Sequence, residues 1–166
     1  MCEMFRRTHI HPGGFSEYFI ASKDHVEIDT HLLPDHVSFE AGTLIEPLAC
    51  VVHAVKKAQV MPGDSVVLIG TGTMGLMFIE YLKYLGVRQL VVYEMLDWRK
   101  EKAQEFGART VLTPFKEKEE EVDRLQGLIN ANGADKVIIA AKDLSAMDLG
   151  LALANKGGIV LFLPPP

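Results

Sequence analysis

Short apolar runs and amphipathic segments alternate along most of the chain. Five runs have the length and apolar character of strands buried on both faces, at residues 66–69, 90–93, 111–112, 136–141 and 159–163. The segments between them repeat apolar residues at helical spacing, at residues 74–85, 97–106, 119–132 and 145–154. Ser145 is expected to cap the last of these helices. This alternation predicts an α/β fold, a doubly wound parallel sheet of five strands flanked by helices.

Before these elements the pattern is weaker. Residues 15–21 and 25–28 combine aromatic and β-branched residues, which predicts two short strands. Ser38 is expected to cap a short helix. A better helix is predicted over residues 46–57, because Pro47 suits a first turn and the following apolar residues form a stripe.

The composition is that of a globular domain, since hydrophobic residues make up 48% and charged residues 23% of the 166 residues. A net charge of −5 and the lack of a basic run argue against nucleic acid or an anionic membrane as a partner. No apolar run is long enough to span a bilayer. The two cysteines, Cys2 and Cys50, are too few for a disulfide framework and indicate a reducing cytoplasm.

Single residues with reactive side chains give little signal. Cys50 lies on the apolar side of its predicted helix and is interpreted as a core residue. Apart from His9 and His11 in an apparent loop, the histidines show no spacing that places metal ligands on one face. We therefore interpret them as surface or helix residues. They are His9, His11, His25, His31, His36 and His53.

The first strand of the alternating region leads into Gly70, Gly72 and Gly75, which have the G-x-G-x-x-G spacing of dinucleotide-binding turns. Gly70 permits a tight turn, Gly72 lets a pyrophosphate approach the backbone, and Gly75 lets the helix pack against the sheet. The N–H groups at the start of the helix would then bind the phosphates, aided by the helix dipole. Because strand, turn and helix follow in the required order, we expect a dinucleotide site.

Glu94 ends the second strand, 19 residues beyond Gly75. At this place a carboxylate can accept hydrogen bonds from the hydroxyls of the adenosine ribose. Its negative charge would repel a 2′-phosphate. The sequence therefore favours NAD over NADP.

Five strands are one fewer than dinucleotide folds of this kind commonly have. The common order of six is 3-2-1-4-5-6, so we expect the order 3-2-1-4-5. Strand five would then be an open apolar edge. The chain is therefore expected to be a fragment, or to be completed by a partner.

Further matches extend over nearly the whole chain, at residues 13–18, 33–35, 37–40, 44–49, 62–64, 70–75, 105–108, 133–135 and 157–158. In these stretches the sequence resembles the zinc-dependent medium-chain alcohol and polyol dehydrogenases, the superfamily of sorbitol and threonine dehydrogenases. The resemblance implies an oxidoreductase with a GroES-like catalytic domain that carries zinc and a Rossmann-type domain that binds the dinucleotide.

Under this resemblance, residues 1–45 are a remnant of the GroES-like β domain. Residues 46–166 are an NAD(P)-binding Rossmann domain with five of its six strands. Cys2 matches the last of four structural-zinc cysteines, of which the other three are absent, as are the catalytic cysteine and the Gly-His-Glu motif. Glu46 matches a glutamate at the catalytic zinc; the alternative is a charge that merely stabilises a helix start. One carboxylate cannot form a zinc site, so we expect little zinc binding by these residues alone.

The resemblance also implies roles at the cofactor. Thr73 and Met74 would offer backbone N–H groups to the pyrophosphate. Arg99 resembles the family's adenosine-side arginine, with a solvated helix charge as the alternative. Ala140 ends the fourth strand, where the family often has a cysteine-threonine-glycine loop that this sequence lacks. Leu163 would approach the nicotinamide.

The function implied is NAD-dependent oxidation of a secondary alcohol, a polyol or a threonine-like substrate by hydride transfer. This chain would supply the cofactor-binding part of a cytoplasmic, homo-oligomeric zinc enzyme, and alone it is expected to bind weakly without turnover. Two alternatives stay open. One is a zinc-free quinone or enoyl reductase of the same superfamily, and the other is a nucleotide-binding module without activity. The substrate's identity does not follow from these residues.

Overall fold

The computed structural model describes residues 10–115 and 117–163. The chain forms two compact units, Met1–Thr43 and Leu44–Pro166. In the described part of the first unit, the helical elements are one turn of π-helix at His25–Asp29 and the short helix α1, Phe39–Gly42. Ser38 caps α1 as predicted, because its hydroxyl oxygen accepts a hydrogen bond from the N–H of Ala41 at 3.2 Å.

The strand predicted over residues 15–21 is wrong. Within it only Ile20 pairs, in an isolated antiparallel bridge in which its N–H donates to the carbonyl oxygen of His11 at 2.8 Å. The aromatic side chains that favoured a strand, Phe15 and Tyr18, are exposed. Strand propensity depends on a neighbouring sheet to pack against, and the described residues of this unit supply none.

The strand predicted over residues 25–28 is also wrong, because these residues lie in the π-helical turn. The N–H of His25 donates to the Ser22 hydroxyl oxygen at 3.4 Å, and the Thr30 hydroxyl donates to the His25 carbonyl oxygen at 2.9 Å. Such bonds between side chain and backbone compete with strand pairing. Local bonding therefore decides the conformation of this segment.

The second unit contains a five-stranded parallel sheet with helices packed against it. Its strands are β1 Ser65–Ile69, β2 Gln89–Tyr93, β3 Thr110–Leu112, β4 Ala134–Ile139 and β5 Ala154–Phe162. Its helices are α2 Ile45–Lys57, α3 Thr73–Leu85, α4 Asp97–Glu105, α5 Lys118–Ile129 and α6 Leu144–Leu153. The strand order is β3-β2-β1-β4-β5, which confirms the predicted order.

The sheet buries both of its faces, which is why its strands appear in the sequence as continuous apolar runs. Val66 and Leu68 of β1 lie in the core cluster to which α2 and α3 contribute. Val67 and Ile69 lie in the second cluster, to which α5 and α6 contribute. None of the helices in the described ranges combines the length and the apolar character that crossing a membrane requires.

Two predictions about single residues are wrong. Cys50 is exposed rather than part of the core, because Val51 and Val55 belong to the side of α2 that packs inward. Ser145 does not cap α6. The cap is Asp143, whose carboxylate accepts a hydrogen bond from the N–H of Ser145 at 2.7 Å.

Asp135 ties the start of β4 to the start of β1. Its Oδ2 accepts hydrogen bonds from the N–H and the hydroxyl of Ser65, at 2.8 and 2.7 Å. These two bonds lower the pKa of the Asp135 carboxyl below its ordinary value of 3.8. The stabilisation is therefore fully present above that pH and is lost as the pH falls through the lower pKa of the folded state.

We expect Asp135→Asn to lower the free energy of unfolding by about 1.5 kcal/mol at neutral pH, since two charge-assisted hydrogen bonds are weakened. The difference from wild type should shrink as the pH falls below about 4, where the wild-type carboxyl becomes protonated. Urea unfolding at several pH values measures this. Asp123→Asn, a change at an exposed position of α5, is the control. A difference that is as large at pH 3 as at pH 7 would contradict the role of the charge.

Candidate functional site

A cleft of about 700 Å³ opens at the carboxyl ends of β1, β2 and β4. The chain reverses its direction of strand addition here, since β2 and β4 flank β1 on opposite sides. Open parallel sheets bind their ligands at such a switch point. The cleft brings together five of the predicted cofactor residues, namely Gly70, Gly72, Glu94, Arg99 and Ala140.

Two glycines of the turn between β1 and α3, Gly70 and Gly75, have no room for a side chain. Gly70 has a φ of +95°, and a Cβ there would lie 3.1 Å from the backbone of Ala140 and Ala141. A Cβ on Gly75 would lie 2.2 Å from the carbonyl oxygen of Gly70. The first turn of α3 is therefore pressed directly against the end of β1.

Gly72 differs from its two neighbours in the motif. A Cβ built on Gly72 meets no other atom within 4 Å, and its φ of −66° suits any residue. Because Gly72 also lines the cleft, the missing side chain leaves open space beside the backbone at the N-terminus of α3. The first N–H groups of the helix have no acceptor within the helix, so they are available to an anion in that space.

The carboxylate of Glu94 is only 7% exposed and is held by the protein at both oxygens. Oε2 accepts hydrogen bonds from the N–H and the hydroxyl of Thr71, at 2.9 and 2.8 Å. Oε1 accepts from the N–H groups of Met95 and Leu96, at 2.8 and 3.0 Å. Burial raises the pKa of the Glu94 carboxyl, but these hydrogen bonds together outweigh burial and the net shift is downward. Glu94 is therefore negatively charged at neutral pH.

Positive charge lies on other walls of the cleft. Arg99, at the first turns of α4, is half-buried, and its guanidinium carbon lies 5.0 Å from the centre of the Trp98 ring. Lys118 and Lys142 line the cleft as well and are more exposed. The three cations would pair with the charges of a bound diphosphate. The lining as a whole is mixed in charge, because it also contains three acidic residues, Glu94, Asp143 and Asp148.

A buried acidic residue supports one wall of the cleft. Glu121 is fully buried, and its Oε1 accepts a hydrogen bond from the hydroxyl of Tyr93 at 2.8 Å. Its Oε2 accepts from the N–H of Phe115 at 2.7 Å and lies 3.6 Å from Nη1 of Arg124. Burial, the bond to Glu121 and the charge of Glu121 raise the pKa of Tyr93 well above its ordinary value. The phenol therefore stays protonated and keeps donating to Glu121.

Neither Glu121 nor Thr71 was predicted from the sequence to be a functional residue. A signal for Glu121 exists, because it occupies the same helical stripe as Leu125 and Ile129, the other buried residues of α5. An acid on an apolar stripe indicates a buried polar contact. Thr71 has no such signal, since a threonine between two glycines is typical of any turn.

The other predicted cofactor residues lie around the cleft without lining it. Thr73 is exposed at the first position of α3, and Met74 packs against a core cluster. Leu163 also packs against that cluster, and its N–H donates to the carbonyl oxygen of Ile139 at 3.1 Å. β4 ends at Ile139, two residues earlier than predicted, so Ala140 follows the strand, where its N–H donates to the carbonyl oxygen of Ile69 at 2.8 Å.

The predicted metal positions do not form a metal centre in the described ranges. No group of three or more histidine, cysteine, aspartate or glutamate side chains that could hold an ion occurs there. Glu46 is exposed on α2 and accepts a hydrogen bond from the thiol of Cys50 at 3.3 Å, which raises the pKa of that thiol. Cys2 and His9 lie outside the described residues. The residues present do not by themselves fit zinc, which takes three or four such ligands.

The sequence and the fold match one group of known proteins. Residues 73–163 match a family model described as zinc-binding dehydrogenase. The chain is 30% identical over 162 residues to the probable D-xylulose reductase A of Aspergillus fumigatus, covering 95% of this chain and 44% of that protein. It is 30% identical over 152 residues to the sorbitol dehydrogenase of Bombyx mori, covering 90% of this chain and 42% of that protein. The chain thus spans less than half the length of these relatives.

Solved structures give the same result. The alcohol dehydrogenase TADH from Thermus sp. ATN1 superimposes with a TM-score of 0.71 at 30% identity, over 79% of this chain and 38% of that chain. The 2R,3R-butanediol dehydrogenase from Bacillus subtilis superimposes with a TM-score of 0.68 at 26% identity, over 80% of this chain and 38% of that chain. The predicted Rossmann-type α/β fold is therefore confirmed.

We expect Gly75→Ala to destabilise the second unit by about 1–3 kcal/mol, because the new methyl group overlaps the Gly70 carbonyl oxygen. Gly127→Ala is the matched control. Gly127 is exposed within α5 and a Cβ there meets no atom within 4 Å, so this change should stabilise by about 0.5–1 kcal/mol. Urea unfolding of both variants measures the difference. Equal stabilisation by the two changes would show that the close approach at Gly75 is not required.

Proposed function

Since the chain belongs to the family of zinc-binding dehydrogenases, we propose that it supplies the NAD site of an oxidoreductase that acts on an alcohol or a polyol. One observation carries the proposal. The glycine turn leaves open space beside Gly72, at the N-terminus of α3 and inside a cleft at the switch point of the sheet. Turns of this form accept a diphosphate because backbone N–H groups can reach its oxygens directly.

The chain's own residues divide between the two halves of the dinucleotide. The N–H groups of the turn and of Thr73 and Met74 would hold the diphosphate, and Arg99 would lie on the adenosine side. Ala140 and Leu163, which follow β4 and β5, would lie on the nicotinamide side. When bound, the nicotinamide supplies the acceptor for the hydride that leaves the carbinol carbon of the substrate. The residues of this chain would orient this group.

Glu94 supports NAD rather than NADP as the cofactor. Its carboxylate is ionised at neutral pH and lines the cleft beside the turn. A 2′-phosphate would bring like charge to that place, which costs binding free energy. The preference therefore depends on one charge in the cleft.

An alcohol or a polyol is the substrate class we propose for the whole protein. The support is the similarity to relatives that include a probable D-xylulose reductase and a sorbitol dehydrogenase. A threonine-like substrate belongs to the same proposal. Zinc dependence is proposed only for the whole protein, with Glu46 as the one contribution of the described residues to the metal.

A nucleotide-binding module without catalysis is the second candidate. It is favoured by the lack of a metal-binding group among the residues that the structure describes. Two measurements distinguish the candidates. Calorimetric titration with NADH reports binding, and an alcohol-dependent absorbance change of the nicotinamide reports turnover.

We expect Gly72→Val to stay within about 1 kcal/mol of the wild-type free energy of unfolding, since a Cβ there meets no protein atom within 4 Å and the cost is that of a poorer N-cap. It should weaken NADH binding at least about tenfold by filling the space of the diphosphate. Calorimetric titration gives the affinity and a urea melt gives the stability. Gly127→Val, on the exposed side of α5, is the matched control and should bind NADH as wild type does. Wild-type affinity in Gly72→Val would place the diphosphate elsewhere and overturn the proposal.

A further inference from the structure

We propose that Glu94 is a positioning residue that braces the glycine-rich turn in the shape that receives the diphosphate, and that this task outweighs any bond to the ribose hydroxyls. The inference rests on the proposed dinucleotide function. It assigns Glu94 to the phosphate side of recognition, acting through Thr71.

The carboxylate joins two turns that both form the cleft. Through Oε2 it holds the N–H and the hydroxyl of Thr71, the residue between the first two glycines of the motif. Through Oε1 it holds the N–H groups of Met95 and Leu96, in the turn that leads into α4. Thr71 is itself only 1% exposed, so its two donors have little access to water. Glu94 Oε2 is the nearest acceptor for both donors, and the hydroxyl has one longer alternative, the carbonyl oxygen of Arg99 at 3.4 Å.

The Glu94 carboxylate has few acceptor sites left for the hydroxyls of a ribose. An ionised carboxylate offers about four acceptor sites on its two oxygens. Four protein donors already occupy them, all at 2.8–3.0 Å. A ribose hydroxyl would have to share or displace one of these bonds. The negative charge remains in place, so the charge-based preference against a 2′-phosphate is unaffected.

Apart from the close backbone contacts at Gly70 and Gly75, few groups hold the shape of the turn. Gly70 and Gly72 have no side chains, and glycine backbones lose more entropy on ordering than other residues do. The Gly70 N–H donates to the carbonyl oxygen of Tyr93 at 2.8 Å, which anchors the start of the turn. Beyond that point, Thr71 is the side chain by which the turn is fixed before the N–H groups of α3 begin. Loss of the brace should therefore weaken diphosphate binding, whatever sugar the ligand carries.

The test compares ADP with 2′,3′-dideoxy-ADP on the full chain by calorimetry. Glu94→Gln cannot accept at all four sites, and Thr71→Val removes only the hydroxyl donor. We expect each change to weaken the binding of ADP and of the dideoxy ligand equally, by about tenfold, because the lost interaction concerns the diphosphate that both ligands share. Thr71→Ser keeps the hydroxyl and should restore the affinity of wild type. Should Glu94→Gln fail to melt cooperatively, Thr71→Val and Thr71→Ser carry the comparison.

A ribose role gives a different pattern. Wild type would then bind ADP about tenfold more tightly than the dideoxy ligand, Glu94→Gln would abolish that preference, and Thr71→Val would change nothing. That pattern overturns the brace while leaving the NAD site in place. A wild-type chain that binds neither ADP nor NADH overturns the proposed function instead. Urea unfolding of the two single variants and of the double variant Glu94→Gln with Thr71→Val then tests the brace. A loss of unfolding free energy in the double variant that is smaller than the sum of the single losses supports the brace, and an additive loss refutes it.

Discussion

The close contact between the end of β1 and the first turn of α3 is the constraint on which the second unit depends. The Gly70 carbonyl oxygen occupies the place where any side chain on Gly75 would begin. This contact lets a buried strand pass straight into a helix whose N-terminus faces the cleft. The sheet supplies the rigid platform, because both of its faces are covered by apolar side chains. Binding geometry and core packing thus share one short stretch of backbone.

Two buried carboxylates link the loops around this turn by hydrogen bonds. Glu94 joins the turn after β1 to the turn after β2, and Glu121 joins Tyr93 of β2 to Phe115 in the loop after β3. Each acid is bonded at both oxygens, which offsets the cost of removing its charge from water. The walls of the cleft are therefore set by polar contacts within a mainly apolar fold. Pre-organisation of this kind lowers the entropy cost of binding a flexible ligand.

The sequence predicted the elements whose conformation depends on burial. It did not predict those that depend on contacts with residues distant in sequence. The strands and their order followed from apolar runs and from one glycine motif, because a parallel strand covered on both faces must be apolar throughout. Residues 15–21 show the limit, since aromatic residues there lie exposed without a sheet beside them. The four bonds to Glu94 could not be foreseen either. They depend on donors from two turns that are distant in sequence and meet only in the folded unit.

The environment of Trp98 also has a practical consequence. It is the single tryptophan of the chain, and its ring lies against the guanidinium of Arg99, which lines the cleft. Indole emission is sensitive to a neighbouring cation and overlaps the absorption of reduced nicotinamide. The molecule thus contains its own fluorescent reporter at the rim of the cleft. Occupancy can be followed by quenching in the unlabelled protein, without a dye and without any alteration to the chain.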